Sequence, residues 1–131
     1  MNLELLSETL AVCRLSADTE LPSWFGGTFH STFYSATRTP EELSLVCEAE
    51  RIPETIQAEK DWRCLRVSGT LAFQLTGILA SLTTPLAQAK ISIFAISTFD
   101  TDYLLVKHHA LDEAIRVLEA EGHLIKRAVA T

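Results

Sequence analysis

Ile91-Ser92-Ile93-Phe94-Ala95-Ile96-Ser97, then Thr98-Phe99-Asp100-Thr101-Asp102, then Tyr103-Leu104-Leu105-Val106-Lys107 reads as strand, turn and strand. β-branched and aromatic residues crowd the two flanks, while polar residues fill the middle. On the first strand, Ile91, Ile93 and Ala95 share one side, and Ser92, Phe94 and Ile96 share the other. A sheet that carries helices on one face ordinarily turns polar residues to the opposite one. Phe94 and Ile96 break that alternation, and leaving each in water forgoes about 1.5–3 kcal/mol. The second face or the strand edge is therefore expected to be covered by a second copy or a repeat, which predicts side-by-side association as a homodimer.

Working outward, Leu75, Ile78, Leu79, Leu82 and Leu86 fall at helical spacing and predict a helix over 73–89, kinked or interrupted at Pro85. Trp62 to Val67 reads as a strand ahead of it. After the hairpin, Leu111, Ala114, Ile115 and Leu118 mark a second amphipathic helix. Asp112 and Glu113 suit its first turn and Gly122 its end. Leu124 to Val129 completes the order βαββαβ, a ferredoxin-like arrangement.

The first half is less regular. Leu10 to Leu15, Phe29 to Ala36 and Leu43 to Ala49 read as strands, and Ile52 to Lys60 as a helix or a connection. Val12-Cys13-Arg14-Leu15-Ser16 echoes Arg63-Cys64-Leu65-Arg66-Val67-Ser68. Thr32-Phe33-Tyr34-Ser35-Ala36-Thr37 echoes Ile93-Phe94-Ala95-Ile96-Ser97-Thr98. The expected fold is therefore α+β, two tandem ferredoxin-like βαββαβ units over 1–60 and 61–131, the first degenerate and missing most of its first helix.

Composition narrows the function. The chain has 131 residues, of which 47% are hydrophobic and 21% charged, excluding a disordered chain and a disulfide-rich miniprotein. Eleven basic and 17 acidic residues give a formal charge of −6, all of it in the first sixty positions. Without a Lys/Arg cluster, such a chain suits neither nucleic acid nor an anionic membrane surface. No apolar run approaches the length of about eighteen residues that a membrane span needs. Met1-Asn2-Leu3-Glu4-Leu5-Leu6 does not read as a secretory signal, since no basic residue precedes its apolar stretch. Cys13, Cys47 and Cys64 are widely spaced, so reduced, buried thiols in a cytoplasmic protein are expected.

The second half resembles the ACT-domain family. Residues 62–109 carry Trp62-Arg63-Cys64-Leu65-Arg66-Val67, Leu75-Thr76-Gly77-Ile78-Leu79-Ala80, Pro85-Leu86-Ala87 and the Ile96–Val106 stretch Ile-Ser-Thr-Phe-Asp-Thr-Asp-Tyr-Leu-Leu-Val. These are similar to small bacterial tandem ACT-domain proteins, and to the ACT domains of aspartate kinases and of the mammalian cytosolic arginine sensor. The resemblance implies a non-catalytic regulatory module that binds a small amino acid at an inter-unit or dimer interface. It places Ser92 and Ile93 at the edge-strand contacts, Thr98, Phe99 and Asp102 in a ligand-binding hairpin, and Ala72, Phe73, Gln74 and Leu75 in the opposing loop. The arginine sensor has an acidic residue where Leu75 stands, which favours a smaller or less basic ligand here. A structural or protein-interaction module that kept the fold and lost the pocket is the alternative.

Physical chemistry supports such a site. Backbone N–H groups at a helix start near Phe73–Thr76 can hold a carboxylate. An Asp on a hairpin can pair an ammonium group, although Asp102 could equally satisfy its own turn. The other candidates are weaker. His108-His109 reads as a surface turn, because adjacent histidines point apart and no further ligand stands at metal spacing. Cys64 with His123 lacks the local elbow of a nucleophile, and Ser68-Gly69-Thr70 is too short for a phosphate loop. Trp24-Phe25 reads as an aromatic pair packing over the first unit, and Glu41-Glu42 as a solvated turn. No catalytic set, metal site or cofactor is expected.

Overall fold

A computed structural model describes residues 1–25, 33–68 and 77–127. The elements are β1 (Asn2–Leu15), β2 (Ser35–Arg38), β3 (Leu43–Glu48), β4 (Ala58–Val67), α1 (Ile78–Gln88), β5 (Ile93–Ser97), β6 (Asp102–Lys107), α2 (Leu111–Ala120) and β7 (Leu124–Arg127). Single 3-10 turns occupy Ala49–Arg51 and His108–Ala110. The fold is α+β and ferredoxin-like, its strands mainly antiparallel. Two compact units separate as Glu8–Trp62, and as Met1–Ser7 together with Arg63–Thr131. That cut differs from a contiguous division at 60/61, because the first seven residues group with the C-terminal half.

The reason is a strand that the sequence reading began too late. Leu10–Leu15 was expected; β1 instead starts at Asn2. Leu3 and Leu5 alternate with Asn2 and Glu4, the period of a half-buried strand. In the C-terminal unit the strands run β7-β1-β4-β6-β5, with Asn2–Leu5 parallel to Leu124–Arg127. A plain βαββαβ sheet would seat β7 beside β4. Here the chain's first residues take that place, and Leu3 and Leu5 join Leu65, Val67, Leu104 and Val106 beneath the helices.

Both helices lie on that apolar face. α2 buries Leu111, Ala114 and Leu118, and its Glu113–Arg116 pair faces solvent. It ends with His123 N–H donating to the Leu118 carbonyl (3.1 Å) and Gly122 N–H to that of Glu119 (3.0 Å). Gly122 adopts φ +90°, so this is a left-handed helix stop of the kind glycine permits. The described part of α1 begins at Ile78, and Phe73–Thr76 lie outside the described residues. Leu82, Pro85 and Leu86 are buried. Pro85 has no N–H for the Ser81 carbonyl four residues earlier, and His123 Nε2 sits 3.2 Å from that oxygen.

The Glu8–Trp62 unit pairs β1 antiparallel with β3, Leu10 opposite Glu48 through Leu15 opposite Leu43, and β3 with β2. Its core gathers Ala11, Cys13, Leu43, Leu45, Cys47 and Ile52, with Trp24 and Phe25 packed against it. Phe25 also meets Tyr34 edge to face at 5.5 Å. No helix forms over Ile52–Lys60: a 3-10 turn and a bend lead into β4 at Ala58. Glu41-Glu42 sit in the β2–β3 turn, where Thr39 N–H donates to the Glu42 carbonyl at 2.9 Å. The strand expected over Phe29–Ala36 is described only from Ser35, and that over Leu124–Val129 only to Arg127.

Candidate functional site

Thr98, Phe99 and Asp102 come together on the β5–β6 turn, and its polar residues hold its shape. Thr98 N–H and hydroxyl both donate to the Thr101 carbonyl, at 2.8 and 3.0 Å, and Thr101 N–H returns to Thr98 Oγ1 at 3.3 Å. Ser97 pairs with Asp102 in register, and its hydroxyl donates to Asp102 Oδ1 at 2.6 Å. The turn use of Asp102 is thus present, and the second carboxylate oxygen is not part of that bond. Phe99 stands at the tip, 79% exposed. Thr101, which the sequence reading did not single out, is buried and donates its hydroxyl to the Val67 carbonyl at 2.7 Å. That bond ties the hairpin to the end of β4.

The other expected site residues divide. Ser92 is exposed just before β5, whereas Ile93 packs into the helix-side core, so only its backbone is placed for an edge contact. Ala72, Phe73, Gln74 and Leu75 lie outside the described residues. Among the described residues β5 pairs with β6 alone, leaving its outer edge open. Phe94 and Ile96 are half-buried on the face opposite the helices. On that face Arg66 Nη2 lies 3.2 Å from Glu4 Oε1. Burial pushes the neighbouring Tyr103 hydroxyl up, with Arg66 partly opposing the shift. Glu4 and Arg66 are far apart in sequence, and no local signal joins them.

The chemistry of the thiols is that of core residues. Burial pushes Cys64 up to about 12 and Cys47 up to about 11, and raises Cys13 as well. A thiol so shifted holds a negligible thiolate fraction near neutral pH. His123 meets Ser81 rather than serving a nucleophile. His108 and His109 are exposed, and among the described residues no three His, Cys, Asp or Glu side chains gather as a metal site. Among the described residues, two surface depressions are lined entirely by residues of the Glu8–Trp62 unit. The larger, about 300 Å³, is bordered by Glu8, Glu48 and Glu50, and the smaller is about 170 Å³.

The ACT-domain family profile matches residues 57–120, the span holding β4, both helices and the hairpin; a second profile, of an N-terminal domain, matches residues 8–55. Residues 57–120 are an ACT domain by the first match. As a protein carrying an ACT domain, the chain is similar to the human cytosolic arginine sensor for mTORC1 subunit 1, 34% identical over 100 residues. That match covers 68% of this chain and 30% of the sensor, so the chain spans under a third of that relative's length. Among solved structures, protein Atu0741 from Agrobacterium tumefaciens is 37% identical with a TM-score of 0.91, covering 98% of this chain and 94% of that one. The aspartokinase alpha and beta subunits share the fold at 12% identity, with a TM-score of 0.64 and coverage of 93% and 97%. The ACT-domain match and the similarity to an arginine sensor support a regulatory ligand-binding role. No helix among the described residues is long and apolar enough to cross a membrane.

Proposed function

We propose that this protein is a non-catalytic regulatory module that binds a small amino acid at an interface between two copies. The observation that carries the reading is the β5–β6 hairpin. It offers a strand edge with no partner among the described residues, half-buried Phe94 and Ile96, and Thr98, Phe99 and Asp102 at its turn. Edge pairing between two copies satisfies the outer N–H and C=O groups of β5 and removes an unpaired edge. In this reading the Asp102 carboxylate receives the ligand ammonium, and Ser92 and Ile93 supply backbone contacts. The segment holding Ala72, Phe73, Gln74 and Leu75 supplies the opposing wall. Residues 1–60 are a degenerate, ACT-like repeat of 61–131. Three unpaired thiols and the cytosolic description of the human relative support a cytoplasmic setting.

Thermal denaturation with each of the twenty amino acids tests the binding. A ligand at 100 times its Kd adds about 2.7 kcal/mol, a readily measured shift. No response to any of them at millimolar concentration counts against binding. The Ser97–Asp102 bond favours one second reading, a scaffold that has kept the hairpin and lost the ligand. Asp102→Ala separates the two: it abolishes ligand stabilisation in a sensor and leaves the association of a scaffold intact. A monomer by sedimentation, with its structure intact, overturns the interface.

A further inference from the structure

We infer that Ser97 is a positioning residue for the hairpin site: its hydroxyl fixes the Asp102 carboxylate through one oxygen and leaves Oδ2 as the acceptor for an ammonium group. The inference rests on the reading of the hairpin as an ammonium-binding site, and adds to it a residue that does not itself touch the ligand.

The register brings the two side chains together. Ser97 stands opposite Asp102 in the β5–β6 pairing, and directly opposed side chains share one face with Cβ atoms about 4.5–5.5 Å apart. That spacing lets a serine hydroxyl reach a carboxylate across the strands, and Ser97 Oγ donates to Asp102 Oδ1 at 2.6 Å. Among the described residues neither side chain makes another hydrogen bond, so the hydroxyl has spent its single proton and Oδ2 keeps its capacity.

The turn does not require this bond. Thr98 N–H and hydroxyl donate to the Thr101 carbonyl at 2.8 and 3.0 Å, and Thr101 N–H returns to Thr98 Oγ1 at 3.3 Å. Those contacts close the loop without Ser97 or the Asp102 carboxylate. Ser97 is exposed, so water can serve its hydroxyl equally well and the bond adds little to folding. Its consequence is orientation. The terminal torsion of an aspartate is broad, so a carboxylate held only by its own chain samples many directions. Ordering it at the moment of binding costs affinity, and a hydroxyl that holds it beforehand removes that cost. The donor is also neutral. A lysine or arginine in its place would compensate the carboxylate charge that an ammonium group needs.

Amide NMR on the isotope-labelled full chain, titrated with an equimolar mixture of the twenty amino acids, tests the assignment through the Thr98–Asp102 signals. Ser97→Ala and Ser97→Val should each raise the titration midpoint by about three- to tenfold, and Ser97→Thr should stay within about twofold of the wild type. The same mixture with acetylated amino groups carries no ammonium and should respond equally weakly in all four proteins. Without added compounds, each variant should keep the cross-turn Overhauser contacts between Thr98 and Thr101, a result that a merely structural role for Ser97 does not allow. Unchanged midpoints in the alanine and valine variants, loss of those contacts, or a threonine variant as weak as alanine overturns the assignment and leaves the hairpin reading in place. No movement of the Thr98–Asp102 amides in the wild type overturns both, so the two failures are told apart.

Discussion

His123 Nε2 lies 3.2 Å from the carbonyl oxygen of Ser81, the acceptor that Pro85 leaves without its helical donor. A carbonyl only accepts, so Nε2 carries the proton. The proline therefore persists in α1 because a buried histidine just after α2 replaces the missing bond. His123→Phe keeps a ring and deletes both that donor and the Nδ1 acceptor 3.0 Å from the Met1 amino group, and it should lower stability by about 1–3 kcal/mol in urea denaturation. In a Pro85→Ala background the new N–H can serve Ser81, and the cost of His123→Phe should fall to what the Met1 contact contributes. An unchanged cost in both backgrounds would show that the bond to Ser81 contributes nothing.

Leu5 joins the core of the C-terminal unit although Arg63, where that unit resumes, is far along the chain. Leu5→Ala should cost about 2–5 kcal/mol, as for a buried leucine that leaves a cavity. Glu4→Gln, one residue away on the opposite face, should cost at most about 1 kcal/mol, because the pair with Arg66 is partly exposed. Paired denaturation curves for the two variants check both values. A cost below that of Glu4→Gln for Leu5→Ala would remove the first strand from the core.

These two relationships mark the boundary of what the sequence makes legible. The β5–β6 hairpin is readable because its partners are neighbours, and a turn of polar residues separates two apolar runs. Thr98, Phe99 and Asp102 share a place in space because they share five consecutive positions. Asn2–Leu5 pairs with Leu124–Arg127 across almost the whole chain, and the Leu3/Leu5 alternation is too short to announce a partner. The same holds for Glu4 with Arg66 and for Arg14 with Ser44, which only the register brings together. Ile52–Lys60, readable as a helix or a connection, is a connection as far as Gln57, and Ala58 onward is taken into β4.

The thiols give the protein a predictable alkaline limit. Cys64 rises from an ordinary value of 9.0 to about 12 on folding, and Cys47 to about 11, chiefly through burial. Below pH 9 both folded and unfolded chains hold the protons, and the stabilisation is complete. Above it the unfolded chain ionises first, so stability falls with rising pH, by about 1.4 kcal/mol per pH unit for each thiol, until the folded-state value is passed. Urea midpoints at about pH 8 and about pH 10 should show the decline, and Cys64→Ala should flatten it. Rapid alkylation of Cys64 in the native protein near neutral pH would contradict the burial argument.

The Thr101 hydroxyl, 2.7 Å from the Val67 carbonyl, adds a side-chain bond between the hairpin turn and the end of β4 to the β4–β6 pairing. Thr101→Val preserves shape but leaves that carbonyl buried without a donor, at a cost of about 1–3 kcal/mol. Thr101→Ser keeps the hydroxyl and should recover most of the loss. The hairpin's own bonds, Thr98 to Thr101 and Ser97 to Asp102, do not need the side-chain hydroxyl of Thr101. Amide NMR should therefore show the turn of the valine variant still formed but its Val67 neighbours displaced. Amino-acid binding at the hairpin should weaken in step with that displacement, and not in step with global stability. A valine variant with normal stability and unmoved Val67 amides would mean that the turn is positioned by its strands alone.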